Sequence, residues 1–268
     1  MTYCVGFLLD GGLVFASDSR TNAGVDYIST YSKMHVFQPA DDRLFVLLAA
    51  GNLATTQSVL NRIQRDLEHN GGRTEEGGAA EPSGSETTSS KGGGRDLLSA
   101  RYLFEAAEYV GRVSVAVQEQ HRESLHQSGA SAEASFILGG QIRGEAHGLY
   151  LVYSQGNAVM ATADTPFLQI GESKYGKPPL DFVGHCGLSL EDAARLCLIS
   201  LMITRRSNLT VGPPFELAMM PADELRISRR VKLDKGAPEI SRSMEVWAGC
   251  MQDGLQRLPR FAWEEQPL

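Results

Sequence analysis

Two apolar runs, Tyr3-Cys4-Val5-Gly6-Phe7-Leu8-Leu9 and Leu13-Val14-Phe15-Ala16, stand either side of Asp10-Gly11-Gly12. A short glycine-containing break between strand-like runs is a hairpin signal, so the first eighteen residues are committed to an antiparallel pair. The returning strand continues into Ser17-Asp18-Ser19-Arg20, which brings a carboxylate back beside the start of the first strand. A further strand-like segment, Ser32-Lys33-Met34-His35-Val36-Phe37, delivers a lysine at its own beginning. Three chemically distinct groups are thereby directed to one end of a sheet.

The third of these groups is Thr2. If Met1 is removed, Thr2 becomes the terminus and carries a hydroxyl nucleophile together with an α-amine of ordinary pKa about 7.7 to 8.0, able to take the hydroxyl proton near neutral pH. No histidine base is then required. An ammonium at Lys33 favours deprotonation of the hydroxyl and disfavours protonation of the amine. Asp18 keeps that ammonium ionised and aimed. The same residues also suit a plainer description, a small residue opening a strand and a structural Asp–Lys pair at a sheet rim, since such pairs shift pKa values without catalysing anything.

The strings Thr2-Tyr3-Cys4-Val5-Gly6, Phe15-Ala16-Ser17-Asp18-Ser19-Arg20, Ser32-Lys33-Met34 and Ala49-Ala50-Gly51-Asn52 resemble the proteasome β-subunit and HslV superfamily of N-terminal nucleophile hydrolases. Phe167-Leu168-Gln169-Ile170-Gly171-Glu172-Ser173-Lys174-Tyr175-Gly176 and Ser207-Asn208-Leu209-Thr210-Val211-Gly212-Pro213-Pro214 are similar to its bacterial branch, the Anbu group. The resemblance is collinear over most of the chain. It implies Thr2 as nucleophile, Asp18 and Lys33 as its acidic and basic supports, and Gly51 as the backbone N–H donor of an oxyanion hole. It also implies that Ser173 hydrogen-bonds around the terminal amine, although this chain reads Gly-Glu-Ser where many relatives read Gly-Ser-Gly. Asn208 stands where many relatives have an aspartate, and the serine that follows in them is missing, so hydrogen bonding survives there but the negative charge does not. The family further implies an α+β fold, a four-layer αββα sandwich of two antiparallel sheets, and assembly of identical subunits into a ring or spiral. Its substrates are peptides or unfolded proteins. No nucleotide site is present, so an unfoldase partner, if one exists, is a separate protein.

Elsewhere the pattern predicts strands near 43–50, 133–141, 148–154, 157–162, 214–220 and 226–233. A helix is expected from Asn52 to about Glu68, with Val59, Ile63 and Leu67 down one face. Residues 69–95 are Gly, Ser, Thr and Glu with almost nothing to bury, and read as a disordered insertion within a single domain spanning 1–268. Leu97, Leu98, Tyr102, Leu103, Ala106, Val110, Val113 and Val117 predict a long second helix ending near Gln120. Ser189-Leu190-Glu191-Asp192 is a helix start. The helix behind it is apolar on nearly every face, so it must be covered on all sides, by the chain's own core or by a neighbouring subunit. Trp247 and Trp263 are expected to dock on the body or a neighbour.

Composition sets limits. The 268 residues carry a formal net charge of −7 and offer only Arg205-Arg206 and Arg229-Arg230-Val231-Lys232 as basic clusters, which argues against nucleic-acid binding. The four widely spaced cysteines point to a reducing compartment. Asp10 interrupts the first apolar run, no basic segment precedes it, and no run reaches membrane-spanning length, so the cytoplasm is the expected location. The six histidines form no ligand spacing, so neither metal nor cofactor is expected. A serine hydrolase on Ser173 is disfavoured because the spacing is Gly-x-Ser-x-x-Gly. The serious alternative is a weakly active or non-catalytic assembly subunit, which the Asn208 departure supports.

Overall fold

The computed structural model describes residues 2–22, 28–71, 96–127 and 129–265. Strands β1 (Tyr3–Leu9) and β2 (Gly12–Asp18) form the anticipated hairpin, with Cys4 opposite Ser17 and Leu9 opposite Gly12. Gly12 turns at φ +136, where a Cβ would lie 2.2 Å from the Met220 carbonyl oxygen. β3 (Arg20–Asn22) and β4 (Ile28–Thr30) make a small separate hairpin. β5 (Met34–Ala40) and β6 (Arg43–Gly51) follow, then α1 (Leu53–Gly71) and α2 (Leu103–Gln127). The chain continues through β7 (Ala134–Ile142), β8 (Gly148–Val152), β9 (Ala158–Met160) and β10 (Phe167–Gly171). After α3 (Ser173–Val183) and α4 (Leu190–Ser207) come β11 (Phe215–Pro221), β12 (Arg229–Leu233) and α5 (Pro238–Gln256).

These strands build two five-stranded sheets, ordered β10-β1-β2-β11-β12 and β5-β6-β7-β8-β9, every pairing antiparallel. Alternation of side chains along each strand supplies two apolar faces per sheet. Cys4, Leu13, Phe15, Ala218 and Met220 of the first sheet meet Met34, Val46, Leu48, Ile137 and Leu149 of the second in one core. Gly139 admits the Phe15 ring at that contact, where a Cβ would stand 2.5 Å from its edge. On its other face the first sheet buries Tyr3, Val5, Phe7, Val14, Ala16 and Phe215 against α3, α4 and α5. The other face of the second sheet buries Phe45, Leu47, Ala49, Phe136 and Leu138 against Val59 and Ile63 of α1 and Ala106, Val110 and Val117 of α2.

Several expectations are refined. α1 runs on through Gly71, so the predicted insertion begins as helix, and the rest of it, 72–95, lies outside the described residues. Asp96 is buried and accepts the Ser99 N–H at 2.7 Å, while its own N–H donates to Ser99 Oγ at 3.0 Å. This closed turn competes with helix, so Leu97 and Leu98 precede α2 instead of opening it. α4 has its Ser189 cap accepting the Asp192 N–H at 3.0 Å and is covered by the first sheet, α3 and α5, so its all-round apolar character is satisfied within the chain. Trp247 packs partly on that core, whereas Trp263 is exposed and stacks on Phe261 with ring centroids 5.4 Å apart. No helix among the described residues is long and apolar enough to cross a membrane.

Candidate active site

The start of β1 and the end of β2, in the first sheet, meet the segment entering β5 of the second, so the groups expected at one end of a single sheet converge from both sheets. Strand register sets this up: with Cys4 opposite Ser17, Asp18 falls beside Tyr3, and the Tyr3 N–H donates to Asp18 Oδ1 at 3.0 Å. The same oxygen accepts from Lys33 Nζ at 2.6 Å. Lys33 Nζ donates a second bond, of 2.7 Å, to the Arg20 carbonyl. Asp18 Oδ2 accepts the Gly212 N–H at 3.1 Å. Asp18 is fully buried and Lys33 is 6% exposed, so this is an ion pair held out of water. Burial raises the Asp18 carboxyl above the usual carboxylate range, and the Lys33 ammonium, followed by the Tyr3 and Gly212 N–H groups, pulls it back.

Thr2 is half-buried at the head of β1. Its carbonyl accepts the Glu172 N–H at 2.8 Å. Gly171 makes that approach possible: at φ +81, a Cβ there would fall 1.9 Å from the Thr2 oxygen. Thr2, Lys33 and Gly51 line one cavity of about 240 Å³ together with His35, Ala49 and Ala50. The opposite wall is a stripe of α1, Leu53, Thr56, Gln57 and Leu60, whose spacing of three and four residues places them on one helical face. His35 has its pKa lowered by burial, against the opposing charge of Glu216.

Gly51 ends β6 at φ +116. Asn52 behind it caps α1, its Oδ1 accepting the Thr55 N–H at 3.2 Å and its Nδ2 donating to the Ser131 carbonyl at 3.0 Å. A helix N-terminus with its positive partial charge therefore adjoins the cavity. A Cβ on Gly51 would stand 2.3 Å from the Glu133 carbonyl oxygen. Gly51→Ala is accordingly expected to destabilise the fold by about 1 to 3 kcal/mol, read as a lowered urea midpoint with unchanged slope.

Ser173 opens α3, and its carbonyl accepts from Gln169 Nε2 at 3.2 Å. It is not among the residues lining the cavity shared by Thr2 and Lys33. Asn208 ends α4, its N–H donating to the Thr204 carbonyl at 2.8 Å. Its Oδ1 accepts the Thr210 N–H at 3.0 Å and the Thr210 hydroxyl at 2.6 Å, the bonding of a local turn. The Arg20 carbonyl and the Gly212 N–H were not anticipated from sequence. Gly212 is legible only as the glycine of a Gly-Pro-Pro break, and it has room for Arg20, whose guanidinium carbon would lie 2.8 Å from a Cβ there and whose Nη1 donates to the Leu209 carbonyl at 2.8 Å. Among the described residues no cluster of potential metal ligands occurs.

No protein-family model matches the sequence, and no curated protein is significantly similar to it. Solved structures are. A Gly-1 mutant of Anbu from Hyphomicrobium sp. strain MC1 is 35% identical with a TM-score of 0.82, over 97% of this chain and 99% of that one. Anbu from Yersinia bercovieri, described as an ancestral β-subunit, is 37% identical with a TM-score of 0.78, over 97% and 99%. The helical assembly of the Anbu complex from Pseudomonas aeruginosa contains a chain 38% identical, with a TM-score of 0.81, over 99% and 100%.

Proposed function

Since this chain belongs to the Anbu family of proteasome-like proteins, we propose that it is an N-terminal threonine hydrolase that cleaves peptide bonds after Met1 is removed. The observation that carries the reading is the shared oxygen of Asp18, which accepts both the Lys33 ammonium and the Tyr3 N–H. It fixes the ammonium to the backbone of the residue next to Thr2. Two of the three Lys33 N–H groups are used by Asp18 and Arg20, and in this reading the third serves the Thr2 hydroxyl across the cavity both residues line.

In this mechanism the Thr2 Oγ attacks the peptide carbonyl carbon as its proton passes to the α-amine. The Gly51 N–H takes the developing oxyanion, an interaction worth roughly 3 to 4 kcal/mol in the transition state. Collapse breaks the C–N bond, and the leaving amine departs with the proton from the α-ammonium. An ester on Thr2 remains. Water, giving its proton to the same amine, attacks that ester; the C–O bond breaks and the hydroxyl recovers its proton. The sum is one peptide and one water converted to an acid and an amine.

The fold that supports this is a four-layer αββα sandwich, and residues 1–268 form a single peptidase domain. The helical assembly of the Pseudomonas aeruginosa relative supports assembly into a ring or spiral of identical subunits. The four free cysteines suit a reducing compartment, the cytoplasm. Incubation of full-length protein with a peptide epoxyketone, followed by intact-mass measurement and peptide mapping, is expected to place the adduct on Thr2. A chain whose terminus is Thr2 and which takes no adduct is instead a scaffold subunit, and an adduct on Ser173 restores the serine-hydrolase reading.

A further inference from the structure

Lys33 sits in a weakly anchored place. Residues 31–33 belong to no strand or helix, and their main-chain bonds include Tyr31 N–H to the Ser19 carbonyl at 2.9 Å and Ala49 N–H to the Lys33 carbonyl at 3.0 Å. Its partner Asp18 is the last residue of β2. A pair whose two halves lie on separate segments needs something to hold those segments in step.

Glu216 does this. It lies in β11 opposite Ser17 and is 3% exposed, and it does not line the cavity beside Thr2. Its Oε1 accepts the Ser19 hydroxyl at 3.0 Å, on the residue after Asp18. Its Oε2 accepts the Ser32 hydroxyl at 3.1 Å, on the residue before Lys33. Oε2 also accepts from Arg230 Nη2 at 3.0 Å, and the same nitrogen donates to the carbonyl of Met34, the residue after Lys33, at 3.3 Å. One buried carboxylate and its arginine therefore grip the residues flanking both members of the ion pair. We propose that Glu216 is a positioning residue for the Asp18–Lys33 pair, setting the ammonium's place beside Thr2 without touching substrate.

The proposal rests on the threonine-hydrolase reading and follows from how positional error enters a rate. A displacement of about 1 Å at a reacting group costs up to about 10²-fold. Glu216 forms no wall of the cavity, but Ser32, which it holds, does, so binding is expected to change far less than the rate. In full-length protein with Thr2 exposed, Glu216→Ala is expected to slow the saturating rate of Thr2 modification by an epoxyketone by about 10- to 100-fold while the half-saturating concentration changes less than about twofold. Glu216→Gln keeps the length and one carbonyl acceptor, and is expected to stay within about threefold of the unsubstituted protein. Should Glu216→Ala not fold, the double variant Ser19→Ala/Ser32→Ala releases the same two flanks and leaves Glu216 paired with Arg230.

Hydrogen exchange supplies a readout independent of reactivity: the peptide spanning 28–36 is expected to exchange faster in Glu216→Ala, or in the double-serine variant, and no faster in Glu216→Gln. An unchanged saturating rate in a folded variant overturns the proposal, as does a loss confined to half-saturation. Unsubstituted protein that takes no adduct at an exposed Thr2 overturns the hydrolase reading itself. The exchange pattern then still reports whether Glu216 holds the Lys33 segment, and an unchanged pattern overturns the clamp as well.

Discussion

Thr2→Ala is expected to lower any amide-hydrolysing rate by about 10⁴-fold or more, because it removes the atom proposed to form the new bond and leaves the amine with no hydroxyl to serve. Folding is expected to be unaltered. The hydrogen bond that holds this residue is made by its carbonyl to the Glu172 N–H, and alanine keeps that carbonyl. The variant should therefore match the unsubstituted protein in thermal midpoint and in assembly size by mass photometry. It should also take no epoxyketone adduct. Thr2→Ser, which keeps both hydroxyl and amine on one residue, should still react. Equal rates for Thr2→Ala and the unsubstituted chain would remove the N-terminal nucleophile from consideration.

The second large effect concerns the ion pair. Lys33→Met is expected to lose activity and also to destabilise the fold by about 3 to 5 kcal/mol, since it strands a buried carboxylate whose remaining donors are the Tyr3 and Gly212 N–H groups. Adding Asp18→Asn removes the stranded charge while keeping an acceptor for those donors. Chemical denaturation of the double variant should recover most of the lost stability. Its rate should not recover, because the ammonium is still missing. A double variant as unstable as the single one would show that Asp18 matters through its shape and hydrogen bonds and not through its pairing with Lys33.

How much of this was legible differs by element. The β1–β2 hairpin was, because Asp10-Gly11-Gly12 separates two continuous apolar runs, which bury on both faces, and its register alone brings Asp18 beside Tyr3. α1 was legible from Val59 and Ile63, which do sit in the core. α3 was not: Pro178 and Pro179 lie inside it, and each removes a helix N–H that sequence rules expect to need. Leu180 compensates by burying completely in the core beneath α4. At the site, Lys33 and Asp18 were within reach of local reasoning because the end of β2 and the residue entering β5 are close in sequence. The Gly212 N–H and Glu216 carboxylate come from beyond α4, and the pairing of β11 with β2, which delivers them, leaves no trace in local periodicity.

That pairing has a consequence for how the molecule comes into being. The order β10-β1-β2-β11-β12 flanks the first hairpin on both sides with strands from the last hundred or so residues. During synthesis the hairpin emerges first and waits with two open edges, the kind of template that invites pairing with other chains. Asp18 meanwhile lacks its Gly212 donor, and Lys33 lacks the brace on its flanks. A nascent chain thus cannot complete the surroundings of Asp18 and Lys33 until β11 has left the ribosome, so the order of translation delays the site until most of the chain is made.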